Sequence, residues 1–464
     1  MNKKKVALSV AAIMVAGYLG TVALVDNFDR DLHAEQMPQQ FNGSTLAKQA
    51  YRVMTDNGCQ YCHSAGTPMP FYAAVPGVHQ LMELDVKLGL KHFDLKPVLA
   101  DMADNQPVSI TALAKLQAVI SDGSMPPHRF TALHWRSSLS DQEQQIMQSW
   151  IKQSREQHYP NPAAAPAHRN EFVQPIQTVF HVNPAKAKLG EVLYHDTRLS
   201  GDNTVACSTC HGLNTGGVDH LVTSTGIHGH KGPINAPTVY NAVFNIHQFW
   251  DGRAADLQAQ AGGPPMNPKE MGSDNWQQII DKLQSDRTMV NAFAHIYPDG
   301  ITANNITDAI AEFEKTLTTP NSRFDLYLKG DDSAMTAQEK HGFALFKEYH
   351  CDTCHSGQAM GGQSFEIMGV DGDYFATRTE LTQVDNGRFN VSGNAADMHR
   401  FKVPTLRNVA LTEPYFHDAS AKTLDQAVVQ MGKYQSGVNL TPTEVADITA
   451  FLKTLTGQYQ GKQL

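Results

Sequence analysis

Cys207-Ser-Thr-Cys210-His211 is the stretch that most constrains this chain. Two thiols three positions apart can bond to the two vinyl-derived carbons on one porphyrin edge. The next residue then lies beneath the ring, with its imidazole in reach of the iron. The pattern recurs as Cys59-Gln-Tyr-Cys62-His63 and as Cys351-Asp-Thr-Cys354-His355, and the three copies use all six cysteines. A Cys-x-x-Cys redox pair or a zinc site could account for one copy. Neither accounts for three trailing histidines with no spare thiol. The expectation is three covalent haem c groups, ligated by His63, His211 and His355, and no disulfides.

The motifs stand 148 and 144 residues apart, which predicts tandem modules. Amphipathic helical runs precede each one: Leu46–Met54, Ala187–Tyr194 and Lys340–Phe346. Two of these runs share a Lys, Gly, Leu, aromatic pattern, as Lys188/Gly190/Leu193/Tyr194 and Lys340/Gly342/Leu345/Phe346. Capping boxes at Ser140–Glu143 and Thr441–Glu444 open the helices that close two modules, and Thr302–Leu317 closes the middle one. No alternating strands stand out. The order helix, haem motif, loop, terminal helix resembles the small all-α cytochrome c fold. The expected fold class is therefore all-α: an N-terminal transmembrane helix, then three tandem cytochrome c-type domains with long haem-wrapping loops.

Lys3-Lys4-Lys5 precedes twenty uncharged residues, Val6–Val25, long enough to cross a bilayer. The lysines place the N-terminus in the cytoplasm and the bulk of the chain in the periplasm, anchored in a bacterial inner membrane. A cleaved signal peptide is the alternative. The expected boundaries are 1–25 for the cytoplasmic end and anchor, 26–45 for a linker, polar and irregular over Asp26–Gln40, and 46–160 for an N-terminal haem relay domain. A middle haem domain, 166–325, and a third, 326–464, follow. The Pro-rich stretch His158–His168 and, less sharply, Thr318–Arg323 separate them. The net charge of −9 and the lack of a basic block beyond the N-terminus give no reason to expect nucleic-acid binding.

In the first module, Met125 before Pro126-Pro127 is the expected sixth ligand, with Met69, Met82 and Met102 as rivals. A Met-capped iron relays electrons. The middle module has no comparable Met. It carries Phe249-Trp-Asp-Gly-Arg-Ala254, then Gln260 and Glu270 around a Gly/Pro-rich loop. Here the chain resembles the bacterial dihaem cytochrome c peroxidases, from about residue 168 to the C-terminus. With its additional N-terminal haem module and anchor it is most similar to the three-haem, membrane-anchored quinol peroxidases.

That resemblance implies reduction of hydrogen peroxide to water, with Glu270 as distal acid/base, Gln260 orienting the peroxide and Trp250 on the electron route. Many family members carry a capping His where this chain has Ile227, but His228 and His230 stand beside it. Either the middle iron is open, or one of these two caps it from a shifted loop; the open site is preferred. The resemblance also implies calcium held by the Asn235 side chain and the carbonyls of Thr412 and Pro414. In the third module it implies Met431 as sixth ligand, over Met360, Met368 and Met398, with His417 near that haem. The donor is then membrane quinol. A soluble cytochrome or cupredoxin is the alternative, and a non-catalytic multihaem carrier a third reading. No motif marks a quinone pocket; His33, Trp135 and the linker are the only pointers to one.

Overall fold

The computed structural model describes residues 3–34, 38–177, 180–376, 378 and 380–464. Side chains of 3–5 and 29–34, those of Lys3, Lys4, Lys5 and His33 included, lie outside that description. The chain is 52% helix and 4% strand, so the mostly helical expectation holds at that level. Strand is confined to short two-stranded ribbons among the described residues. One pairs β1 (Phe365–Ile367) antiparallel with β2 (Arg400–Lys402), Phe365 opposite Lys402; the other pairs Gln458–Tyr459 with Lys462–Gln463. The chain divides into two compact units, 1–160 and 161–464.

In the first unit, α1 (Lys3–Ala34) contains one stretch, Val6–Phe28, long and apolar enough to cross a membrane. Helix α1 corrects one expectation. The start of the stretch read as an irregular linker is helical as far as Ala34, because Asp26 and Phe28 find partners on the haem-motif side of the unit. Helix α2 (Thr45–Asp56) is capped by Ser44 and packs against α3 (Asp141–His158). The expected capping box opens α3: Ser140 N donates to Glu143 Oε2 at 2.8 Å. Glu143 Oε1 also accepts from Asn57 Nδ2 at 3.0 Å, which ties the start of α3 to the turn before Cys59.

The second unit repeats this pairing twice. Helix α4 (Pro184–Tyr194) crosses α5 (Ala303–Glu314), and α6 (Ala337–Glu348) crosses α8 (Pro442–Lys453), with α7 (Leu424–Gln435) beside α8. The repeated glycines lie at the two crossings. A Cβ on Gly190 would run into the Ala309 carbonyl, and one on Gly342 into the Asp447 carbonyl. Close approach of the backbones lets Leu189, Leu193 and Phe313 pack at one crossing and Phe343, Phe346 and Phe451 at the other. The shared sequence pattern is therefore a helix-crossing signature.

The Thr318–Arg323 stretch is no open linker. Thr319 and Ser322 are fully buried, and Thr319 Oγ1 accepts from both Asn241 Nδ2 at 2.8 Å and Asn408 Nδ2 at 3.0 Å. The chain also interleaves. Residues 165–174 run before the middle module yet bond to the third motif's surroundings: Ala165 N to Leu328 O at 2.9 Å, and Gly357 N to Phe172 O at 2.8 Å.

Gly190→Val and Gly342→Val should each lower stability by about 1–3 kcal/mol or more, because overpacking must separate two helices. Val192→Ala, on the exposed side of α4, should cost no more than about 0.5 kcal/mol. Urea midpoints followed by far-ultraviolet circular dichroism test this; equal shifts for all three would refute the crossing role.

Candidate active site and haem-binding residues

Each motif forms a short helical turn: residues 60–63, which Cys59 caps, 207–210 and 351–354. The following histidine is then oriented by a backbone carbonyl. His63 Nδ1 bonds to Phe93 O at 3.0 Å, His211 Nδ1 to Gly217 O at 3.3 Å, and His355 Nδ1 to Met360 O at 3.1 Å. With Nδ1 committed as donor, Nε2 presents its lone pair to a metal. Burial pulls all three imidazoles below the ordinary histidine range, His355 to about 4, which favours the neutral ring that a metal would need.

Burial also pushes the thiols of Cys59, Cys207 and Cys351 up to about 12, and Cys62 to about 11. Among the described residues no group of three His, Cys, Asp or Glu is placed to hold a metal. Haem fits these residues better. Lys402 agrees: it is 5% exposed, its ammonium makes no ion pair among the described residues, and burial alone lowers it to about 8. The carboxylate edge of a porphyrin is the kind of anion that would satisfy it.

The candidate sixth ligands separate by position. Met125 is in the loop between the helix Ile110–Asp122 and the turn His128–Thr131, with its side chain 41% exposed. Met102, by contrast, is buried in the unit's core. Met431 is on α7 and half-buried. Met360 is fully buried and its carbonyl already holds His355, which commits it to the proximal side. Met368 packs with Tyr374, Phe375 and Phe401.

Around the middle motif, Glu270 lies in the loop after the turn Gly263–Met266. Its Oε1 accepts from Asn267 Nδ2 at 2.9 Å. Burial raises its pKa, opposed by the Arg253 guanidinium and the Asn267 bond. Cys210 is raised chiefly by burial, with smaller contributions from the Asp219 and Glu270 charges. Arg253 stacks on Phe249 at 3.6 Å and pairs with Asp251 at 3.0 Å. Gln260 ends the turn Leu257–Ala261, half-buried, with its side-chain amide uncommitted among the described residues.

Ile227, the position matched to the family's capping His, is buried in the core, and its carbonyl neighbourhood is pinned by Ile227 N bonding to Glu270 O at 2.8 Å. His228 is exposed and 3.6 Å from Asp202 Oδ2. His230 is exposed with Nδ1 3.3 Å from Pro268 O. The Pro268 carbonyl belongs to the loop that carries Glu270; Asp202 does not.

Trp250 joins the middle and third modules. Its Nε1 donates to Asn235 O at 2.9 Å, and its carbonyl accepts from Lys402 N at 2.8 Å. Its ring faces Phe401 and His417 edge-on, and His417 Nε2 bonds to Asp385 Oδ1 at 2.9 Å. The segment carrying Thr412 and Pro414 lies against that carrying Asn235, with Asn235 N bonded to His417 O at 2.9 Å. Asn235 Nδ2 donates to Leu221 O at 2.8 Å, which leaves its oxygen as the acceptor a hard cation would use.

Sequence reasoning missed Asn267, which holds Glu270, and Glu314 at the end of α5. Glu314 is 6% exposed, its Oε2 has no hydrogen-bond partner, and burial raises it to about 8. It also helps raise Cys207. An acid beside Phe313 and Leu317 on an apolar helix face was the available signal.

A family model described as di-haem cytochrome c peroxidase matches residues 184–333. A haem-binding domain matches 17–153 and a cytochrome c domain 339–456. The chain is 47% identical to cytochrome c peroxidase Ccp of Escherichia coli (strain K12), over 98% of both chains. It is 47% identical to cytochrome c551 peroxidase of Nitrosomonas europaea over 62% of this chain and 85% of that one. Among solved structures, a MauG-like protein associated with microbial copper homeostasis aligns with a TM-score of 0.55 at 27% identity, covering 63% of this chain and 95% of that one. The diheme peroxidase BthA from Burkholderia thailandensis shares the fold, with a TM-score of 0.52 at 20% identity, covering 62% and 91%.

Glu314 generates a pH signature. Its folded pKa is raised, so between its unfolded value and about 8 the unfolded state releases a proton that the folded state keeps. Stability should fall as pH rises through that window, by at most about 1.4 kcal/mol per unit, and Glu314→Gln should flatten the slope. Urea unfolding at a series of pH values measures it; an unchanged slope in the variant would remove the assignment.

Proposed function

The chain belongs to the bacterial di-haem cytochrome c peroxidase family and reduces hydrogen peroxide, and we propose that it does so at the middle motif with electrons drawn from membrane quinol. The observation that carries the site assignment is Glu270: a carboxyl raised by burial, held by Asn267 and set beside the Cys210 motif. Three covalent haems, at Cys59/Cys62, Cys207/Cys210 and Cys351/Cys354, complete the proposal. Bound haem supplies a redox-active iron for peroxide and for electron relay.

The residues divide the remaining work. Glu270 takes a proton from the bound peroxide and returns it to the departing oxygen, the role for which a carboxyl with a raised pKa is suited. Gln260 donates its uncommitted amide to the peroxide and holds it for cleavage. Peroxide plus two electrons and two protons gives two waters; one quinol releases two of each as it becomes quinone. Met125 and Met431 would hold the first and third irons, while His228 and His230, exposed on the surface, would leave the middle one open to peroxide. Trp250, between Asn235 and His417, links the middle and third sites. Calcium at Asn235, Thr412 and Pro414 would fasten the same seam.

The donor assignment rests on Val6–Phe28 as a retained inner-membrane anchor, with the catalytic part in the periplasm, and on the haem-binding match over 17–153. Full-length protein in detergent should oxidise a short-chain quinol when peroxide is added. Glu270→Gln should slow it about 10²–10⁴-fold with the haem spectrum retained. Turnover with reduced small cytochromes but not quinol would move the donor to the soluble pool. In the wild type, kcat/KM should fall at acid pH with an apparent pKa above the ordinary glutamate value, since the base form is the one that accepts the first proton; a profile flat through that range would sink the role of Glu270.

A further inference from the structure

We propose that the first haem unit rests on the outer leaflet of the bilayer through an apolar shelf made by Phe71, Leu133 and Trp135, with phospholipid as the partner. The proposal rests on the reading of α1 as a retained membrane anchor. It is independent of which donor supplies electrons.

Helix α1 does not leave the membrane before it meets the rest of its unit. Val22 and Val25 are buried while most of their neighbours on the helix are exposed, and with Tyr18 they form one stripe at helical spacing. Trp135 Nε1 donates to Tyr18 Oη at 3.1 Å, and Tyr18 Oη donates to Ala132 O at 2.5 Å. Phe28 meets Phe71 edge-on at 5.2 Å between centroids. Asp26 pairs with Arg136 at 2.8 Å.

These contacts set a depth. A span of about 20 residues crosses the hydrocarbon, which from Val6 ends at Val25. Tyr18 then lies about 10 Å inside the outer boundary at about 1.5 Å per residue. Its partner Trp135 is drawn to the same level, and the Asp26–Arg136 pair falls just beyond the boundary, where charge belongs. With α1 already packed on it, the shelf still exposes Trp135 by 53%, Phe71 by 52% and Leu133 by 38%. In water that surface would be costly. At a bilayer interface, Trp and Tyr are the favoured residues.

The shelf is continuous with the first haem motif. His134 stacks on Phe130 at 3.9 Å, Tyr72 Oη lies 3.4 Å from His134 Nε2, and Phe130 sits beside Gly58 and Tyr61. A lipid-soluble donor held at the shelf would therefore meet this unit without crossing water.

The test uses full-length protein in nanodiscs whose phospholipids carry a diazirine in the acyl chain. Photolysis and peptide mass spectrometry should find lipid adducts on the peptides carrying Phe71 and Leu133–Trp135 as well as on α1. The double variant Phe71→Asp, Trp135→Asp should lose the shelf adducts and keep those on α1. Adducts confined to α1 in the wild type, or an intact mass showing that α1 has been removed, would overturn the proposal. Shelf adducts in protein that oxidises no quinol would uphold it and discard only the donor assignment.

Discussion

The hydrogen bond from His211 Nδ1 to the Gly217 carbonyl, repeated at His63 with Phe93 and at His355 with Met360, ties the direction of a metal-binding lone pair to the main chain. Two thioether bonds would fix where a porphyrin edge begins; the carbonyl fixes which way the imidazole points. Helix packing supplies the rigid frame behind both. At the second and third motifs that frame is a pair of helices whose backbones meet at a glycine, so the loop bearing the motif departs from a crossing that cannot slide.

On this common frame the middle site differs by its polar surroundings. Burial raises the Glu270 carboxyl above the ordinary glutamate value, while the Arg253 charge and the Asn267 hydrogen bond oppose that rise. The matched cap position is filled by Ile227, whose side chain belongs to the core, and the adjacent histidines face outward. The third motif's neighbourhood is instead aromatic and closely packed.

Local features were legible in the sequence. The cysteine motifs, the Ser140 and Thr441 capping boxes and the helical runs depend on residues a few positions apart, and each forms where its own pattern calls for it. The shared Lys, Gly, Leu, aromatic pattern was visible too, but not its meaning, since Gly190 and Gly342 are explained only by the carbonyls of a partner more than a hundred residues away. The same holds for the helical start of the supposed linker, whose partners Phe71 and Arg136 lie elsewhere in the chain. Interleaving of residues 165–174 with the third motif is invisible to any reading that assumes modules end where the next begins.

Arg407 shows what that interleaving does. Its guanidinium is fully buried, bonded to Asp325 at 2.9 Å, to the carbonyls of Gln174 and Gln358 at 2.6 and 2.8 Å, and to Ser322 Oγ at 3.1 Å. One planar cation thus pins the stretch before the middle motif, the segment after it and the loop of the third motif. A desolvated ion pair contributes little net stability but resists being pulled apart. Electron tunnelling falls off exponentially with separation, so an enzyme that moves charge between two fixed centres is sensitive to slow breathing of the gap. With haems at the His211 and His355 sites, Arg407 would act as a spacer: by fixing these segments to one another it would narrow the range of distances between the two centres, and with it the range of transfer rates from one molecule to the next.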